Sequence, residues 1–262
     1  MNPFDAGIIH FFNQFAYRSL TLDAIAGLAG SNNLIKGGAM MSLLIWMWFR
    51  EGSEDERDHR REVLLSGLFF SIAALFVCRL LAFALPFRER PLREVGLSFQ
   101  LPYGMDADSL IHWSSFPSDH AVLFFGLAMT VFFVSRRAGW WALGYAVIVI
   151  CLPRIYLGIH YPTDILAGAL LGTAAATLSQ VSVIRRPLMK NFLLWSKKSP
   201  KSFYAFLFFL TSETADLFDP IRAILSAAVQ EPRVFLLLLG GVVFAAVIAW
   251  RVLFRKLAAP IS

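Results

Sequence analysis

Residues 63–85 read VLLSGLFFSIAALFVCRLLAFAL, and the reading of this stretch decides the fold. Arg79 is its one charged residue, and Pro86 closes it. A helix needs about 20 predominantly apolar residues to cross a bilayer, and this run supplies them without a break. A barrel strand would instead alternate over about ten residues. The stretch before it, REGSEDERDHRRE (50–62), is plainly aqueous. The whole chain agrees: of 262 residues 57% are hydrophobic and only 16% charged, where a soluble domain carries nearer a quarter. These observations predict an integral membrane protein of the helical kind.

Outward from this run, similar apolar segments fall at about 33–49, 118–135, 139–153, 163–183 and 233–250. The expected fold is therefore all-α, a polytopic transmembrane bundle of about six spans. Residues 1–32 read as an N-terminal interfacial segment, with Phe4, Ile8, Phe11, Phe12 and Phe15 on one face and Asp5, His10, Asn13, Gln14 and Arg18 on the other. Residues 33–185 form the expected core. Residues 186–262 comprise a basic linker, an amphipathic stretch over 203–229 carrying Glu213, Asp216 and Asp219, and a final span. The first twenty residues have no basic n-region and no A-x-A site, so no removable signal peptide is expected. Cys78 and Cys151 lie in apolar runs and read as small buried hydrophobes, with neither a disulfide nor a metal site implied.

The net charge of +6 could suggest nucleic acid, but the basic residues sit in short loops beside apolar runs, which fits orientation signals and contact with anionic lipid. Twelve Lys and Arg in loops 50–62, 136–137 and 185–201 oppose four, Arg88, Arg90, Arg93 and Arg154, on the other side. That bias puts the long loop 86–117 outside the cytoplasm. The tail RVLFRKLAAPIS disagrees, since a sixth span starting inside would leave it outside.

Three polar clusters share that outer face: Arg88 and Arg90 in FRERP; Ser118, Asp119 and His120 in FPSDH; and Arg154, His160 and Asp164 in RIYLGIHYPTD. Arginines offer planar forks for phosphate oxygens. Ser118 stands at a helix start, where its hydroxyl and the first amides can hold an anion. Two histidines suit a nucleophile and a general acid near neutral pH. Asp164, four residues after His160, is placed to fix its tautomer. Taken singly, each residue has an ordinary reading: a serine cap, a snorkelling arginine, a wet surface histidine such as His10, His59 or His112. Together they describe a phosphate cradle with a nucleophile and a leaving-group acid.

FPSDH and RIYLGIHYPTD resemble the second and third signature motifs of the type 2 phosphatidic acid phosphatase (PAP2) superfamily, over about residues 60–185. The resemblance implies that His160 attacks phosphorus and becomes a phosphohistidine. It also implies that Asp164 orients His160, that His120 protonates the leaving oxygen, and that Arg154, Ser118 and Arg90 hold the phosphoryl oxygens. No metal or other cofactor is implied. Three positions depart from the family pattern. The first motif, Lys-x6-Arg-Pro, has Phe83 in the lysine's place, with Arg88 or Arg79 as substitutes. Asp119 stands where Gly is usual; its amide can still serve the phosphate, and its carboxylate is expected to point away or stay solvated. Pro153 stands where the third motif often has Ser.

SSFPSDHA and FFNQFA…TLDAIA are most similar to the bacterial branch acting on undecaprenyl diphosphate. The implied function is release of undecaprenyl phosphate from that carrier at the periplasmic face of the inner membrane, with polyprenyl or phospholipid phosphate and the bilayer as partners and no nucleic acid. Alternatives are hydrolysis of phosphatidylglycerophosphate or phosphatidic acid, phosphotransfer to a lipid acceptor, or a lipid transporter or scramblase, which has no need of two histidines.

Overall fold

A computed structural model of the chain describes residues 2–106 and 113–230, and every regular element among them is helical. Two compact units are present, Met1–Ala215 and Asp216–Ser262. The second is described through one helix, Asp219–Gln230, in which Arg222 pairs with Asp219. His112, the expected span 233–250 and the basic tail lie outside the described residues.

The first unit begins with α1 (Pro3–Asn13), capped by Asn2, and α2 (Leu20–Ser31), capped by Ser19. A π-helical turn over Leu34–Gly38 leads into α3 (Ala39–Phe49). The decisive run lies in α4 (Glu54–Ala84). Its start is fixed by a capping box in which the Ser53 hydroxyl accepts from the Glu56 amide and the Glu56 carboxylate accepts from the Ser53 amide. Glu54, Asp55 and Glu56 in the first turn also complement the helix dipole. The helix stops before Pro86, which cannot continue it. After the irregular segment that follows come α5 (Asp119–Val134) and α6 (Arg136–Tyr145). The latter runs on through a π-helical stretch, Ala146–Cys151, into α7 (Leu152–Tyr156). The unit closes with α8 (Pro162–Ser179), α9 (Ser182–Lys198) and α10 (Pro200–Ala215).

By length and composition two helices can cross a membrane, Glu54–Ala84 and Arg136–Tyr156; α8 and α9, bent by 76° at their junction, make a third if they count as one span. The expected count of six is thus not reached among the described residues. The reason is helix length. An apolar run at 118–135 predicts a span, but α5 has 16 residues, which reach about 24 Å against a hydrocarbon core of about 30 Å.

α5 packs centrally against α4, α6 and α8. Val122, Leu123, Phe124, Leu127 and Val131 are fully buried there, with Leu65 and Leu75 of α4. Small residues allow the close approach. A β-carbon on Gly168 of α8 would stand 2.5 Å from the Ser118 carbonyl oxygen, and one on Gly126 of α5 would stand 2.5 Å from the Ser71 hydroxyl. Cys78 and Cys151 are both free and buried.

Candidate active site

The close seating of α8 on α5 brings two distant stretches of chain together at one end of the bundle. The Ser118 amide donates to the Asp164 carbonyl at 3.1 Å, joining the first turns of both helices. The segment after α4 is stitched to them by the Ser115 amide on the Arg88 carbonyl at 2.9 Å and the Leu92 amide on the Gly158 carbonyl at 3.0 Å. Gly158 has a φ of +69°, and a β-carbon there would lie 2.6 Å from the Phe99 ring. Only glycine meets both conditions without strain. This turn sets the approach to His160.

His160 is buried. Its Nδ1 lies 2.8 Å from the Ser115 carbonyl oxygen. A carbonyl can only accept, so Nδ1 carries the proton and Nε2 keeps its lone pair. Asp164 Oδ2 stands 3.6 Å from the same nitrogen, beyond a hydrogen bond, and acts on the ring by charge. The Asp164 carboxylate is itself held by the Tyr161 amide at 2.8 Å and Arg88 Nη1 at 2.5 Å. Burial pushes the His160 imidazole below its ordinary value; Arg90 adds to this, while Asp164 and Asp119 oppose it without restoring it. A neutral ring with one free lone pair is the form a nucleophile needs.

His120 is held differently. Asp119 Oδ1 accepts from the His120 amide at 2.7 Å and lies 2.8 Å from its ring Nδ1, while Asp119 Oδ2 stands 3.8 Å from Arg79 Nη2. The sequence left this carboxylate pointing away or solvated; its side chain is 28% exposed and is turned onto His120 and Arg79, both of which offer positive or donor groups within reach. The His120 ring also stacks on Phe124, with centroids 6.4 Å apart.

Arg90 is buried, with Nη1 donating to the Ile159 carbonyl at 2.7 Å; its Nε makes no hydrogen bond among the described residues. Arg154 is 2% exposed, and its Nη1 donates to the Ile150 carbonyl at 2.5 Å. Arg90 and Asp119 each act by charge on both Arg154 and His160, so these groups occupy one neighbourhood. Ser118 caps α5, its hydroxyl accepting from the Ala121 amide at 3.4 Å. Of the two substitutes for the missing lysine, Arg88 is committed to two carboxylates, Asp5 at 2.8 Å and Asp164 at 2.5 Å, and its guanidinium also lies over the Tyr161 ring. Arg79 faces Asp119 instead. Phe83, in the lysine's place, is 76% exposed.

Asp5 escaped the sequence reading, which placed it on the wet face of an interfacial helix. It is fully buried and accepts from the Thr163 amide at 3.0 Å, the Thr163 hydroxyl at 2.7 Å and Arg88 Nη2 at 2.8 Å. Burial pushes its carboxyl up, but donation from Thr163, Arg88 and Asn2 outweighs this and holds it below the usual range. Asp23 of α2 is likewise buried and accepts from the Tyr156 hydroxyl and the Tyr103 amide. A single acidic residue among apolar ones in each helix was the available signal.

Among the described residues no group of three or more His, Cys, Asp or Glu side chains is placed to hold a metal ion. A separate cavity of about 320 Å³, lined by Arg50, His59, Arg60, Val63 and Phe133 among others, opens near the start of α4 and shares no residue with the histidine site.

Residues 64–187 match the PAP2 superfamily. Over 63 residues the chain is 44% identical to the bacitracin transport permease protein BcrC of Bacillus licheniformis, an alignment covering 24% of this chain and 30% of that protein. It is 30% identical over 128 residues to the undecaprenyl-diphosphatase BcrC of Bacillus subtilis, covering 49% and 58%. With the lipid A 1-diphosphate synthase of Escherichia coli it shares 28% identity over 181 residues, covering 64% and 71%. The chain spans less than two thirds of the length of the first two.

Proposed function

Since residues 64–187 belong to the PAP2 superfamily, we propose that the chain is a membrane lipid phosphatase. Its substrate in this reading is an isoprenoid diphosphate, undecaprenyl diphosphate in a bacterial cell, met at the extracytoplasmic face of the inner membrane. The observation that carries the reading is His160, a buried neutral imidazole whose Nδ1 proton is taken by a backbone carbonyl, in a site that also holds two arginines and a second histidine.

His160 Nε2 attacks the terminal phosphorus, and the bond from phosphorus to the bridging oxygen breaks. His120 gives its Nε2 proton to that oxygen, so the lipid monophosphate departs and His160 is left as a phosphohistidine. Water then attacks this phosphorus, and its proton passes to His120. Inorganic phosphate leaves and both histidines return to their starting forms. Arg90, Arg154 and the Ser118 end of α5 hold the phosphoryl oxygens and stabilise the charge that shifts in the transition state, the task a metal takes elsewhere.

A second reading is phosphotransfer to a lipid acceptor in place of water. It is favoured by the similarity to a protein named lipid A 1-diphosphate synthase. The test is phosphate release by the purified chain in detergent with EDTA present, from farnesyl diphosphate and from phosphatidic acid, beside His160→Ala. Release that survives EDTA, favours the diphosphate and vanishes in the variant is the expected result. Release only when a lipid acceptor is added moves the reading to transfer, and equal release by the variant overturns the phosphohistidine.

A further inference from the structure

We infer that Asp119 and His120 form a second acid–base dyad, in which Asp119 is a positioning residue that keeps Nδ1 of His120 protonated and sustains the imidazolium that protonates the leaving oxygen. The inference rests on the phosphatase reading above and deepens it. In the family pattern this position is usually glycine, which offers no carboxylate.

One oxygen, Asp119 Oδ1, meets both the amide and the ring Nδ1 of His120, at 2.7 and 2.8 Å. Two contacts of one oxygen to the next residue swing the ring toward the carboxylate and leave Nε2 as the nitrogen able to face substrate. The groups whose charges bear on His120 come from several elements: Arg79 from α4 through its pairing with Asp119, Arg154 from α7, and Lys36 from the turn before α3. Arg90 and His160 bear on Asp119. Burial, Arg154 and Lys36 hold the His120 ring below its ordinary value, and Asp119, the carboxylate that touches it, opposes them. The incoming diphosphate adds further negative charge.

The same device joins two departures from the family pattern. Phe83 removes a cation from the end of α4, while Arg79, four residues earlier and so one turn back, brings one to Asp119 at 3.8 Å. Arg79 thereby adds to His120 and His160 in keeping Asp119 ionised. During reaction the Nε2 proton moves to the bridging oxygen as its bond to phosphorus breaks, and Nδ1 stays on Asp119. The attacking water later returns a proton to Nε2.

The test compares the pH profile of kcat for the wild type, Asp119→Asn, Asp119→Gly and Asp119→Glu on farnesyl diphosphate, and repeats it on p-nitrophenyl phosphate, whose leaving oxygen needs no proton. In Asn and Gly variants the alkaline limb is expected to move about one pH unit lower. At about pH 8 kcat falls roughly ten- to hundredfold with KM changed less than about threefold. Loss on the aryl phosphate stays under about threefold, and Asp119→Glu restores part of the limb. Equal losses on both substrates with an unmoved limb, or an unchanged kcat, overturn the dyad. If Asp119→Asn does not fold, the glycine variant, which carries the family residue, decides. His160→Ala run in parallel separates the two ideas: release by that variant overturns the phosphohistidine reading itself, whatever the Asp119 variants do.

Discussion

The two histidines at the mouth of the bundle are held by opposite means. His160 gives its Nδ1 proton to the Ser115 carbonyl, a neutral acceptor. His120 gives its own to the Asp119 carboxylate, a charged one. A neutral acceptor in a buried place favours a neutral ring, and a carboxylate favours a charged ring. In the proposed mechanism these two acceptors assign two chemically identical side chains to different tasks, a nucleophile and an acid, as paired titratable groups in active sites are divided generally.

The sharpest way to break this comparison is to remove each ring in turn. His160→Ala is expected to lower kcat by about 10⁴-fold or more, because no covalent intermediate forms. His120→Ala is expected to lose about 10²- to 10⁴-fold while still forming a phosphoenzyme, read by acid-labile label. Equal loss of the label in both would erase the division of roles. The pH profile sharpens it: with His160 pushed below its ordinary value by burial, the acid limb of kcat/KM lies below about pH 6.5.

A smaller effect is expected where the two halves are joined. Gly168→Ala places a carbon against the Ser118 carbonyl, so α5 and α8 move apart. Overpacking of this kind costs about 1–3 kcal/mol. The measured activity should fall further than the melting temperature implies, since both histidines shift relative to each other. A variant that loses stability alone would show that the seam is only structural.

The smallest effect is expected at Asp5, which reaches the site through Arg88 and Thr163. Asp5→Asn weakens charge-assisted bonds at a buried position, costing about 1–3 kcal/mol. Because the folded Asp5 carboxyl is held below its usual range, its contribution is fully present above that range and is lost as pH falls through the lowered value. The difference in melting temperature between wild type and variant should therefore vanish in acid. A difference that persists there would exclude ionisation as its source.

The clusters FRERP, FPSDH and RIYLGIHYPTD were legible because each carries polar groups where an apolar run begins or ends, and such groups are costly there without a purpose. The helical class was legible because a continuous apolar run has one backbone solution in hydrocarbon. The number of spans was less so, since apolar composition does not state where a helix of 16 residues starts and stops.

By itself, then, the sequence determined an all-helical membrane chain and the residue types of the proposed phosphate site, because hydropathy and side-chain chemistry are local properties. Only the tertiary structure decided which acceptor each histidine meets. The Ser115 carbonyl on His160, the Asp5 carboxylate on Arg88 and the Arg79 guanidinium beside Asp119 join residues 45, 83 and 40 positions apart. Backbone oxygens carry no sequence signal, and charge pairing at such separations depends on how closely α4, α5 and α8 seat, which their small residues set.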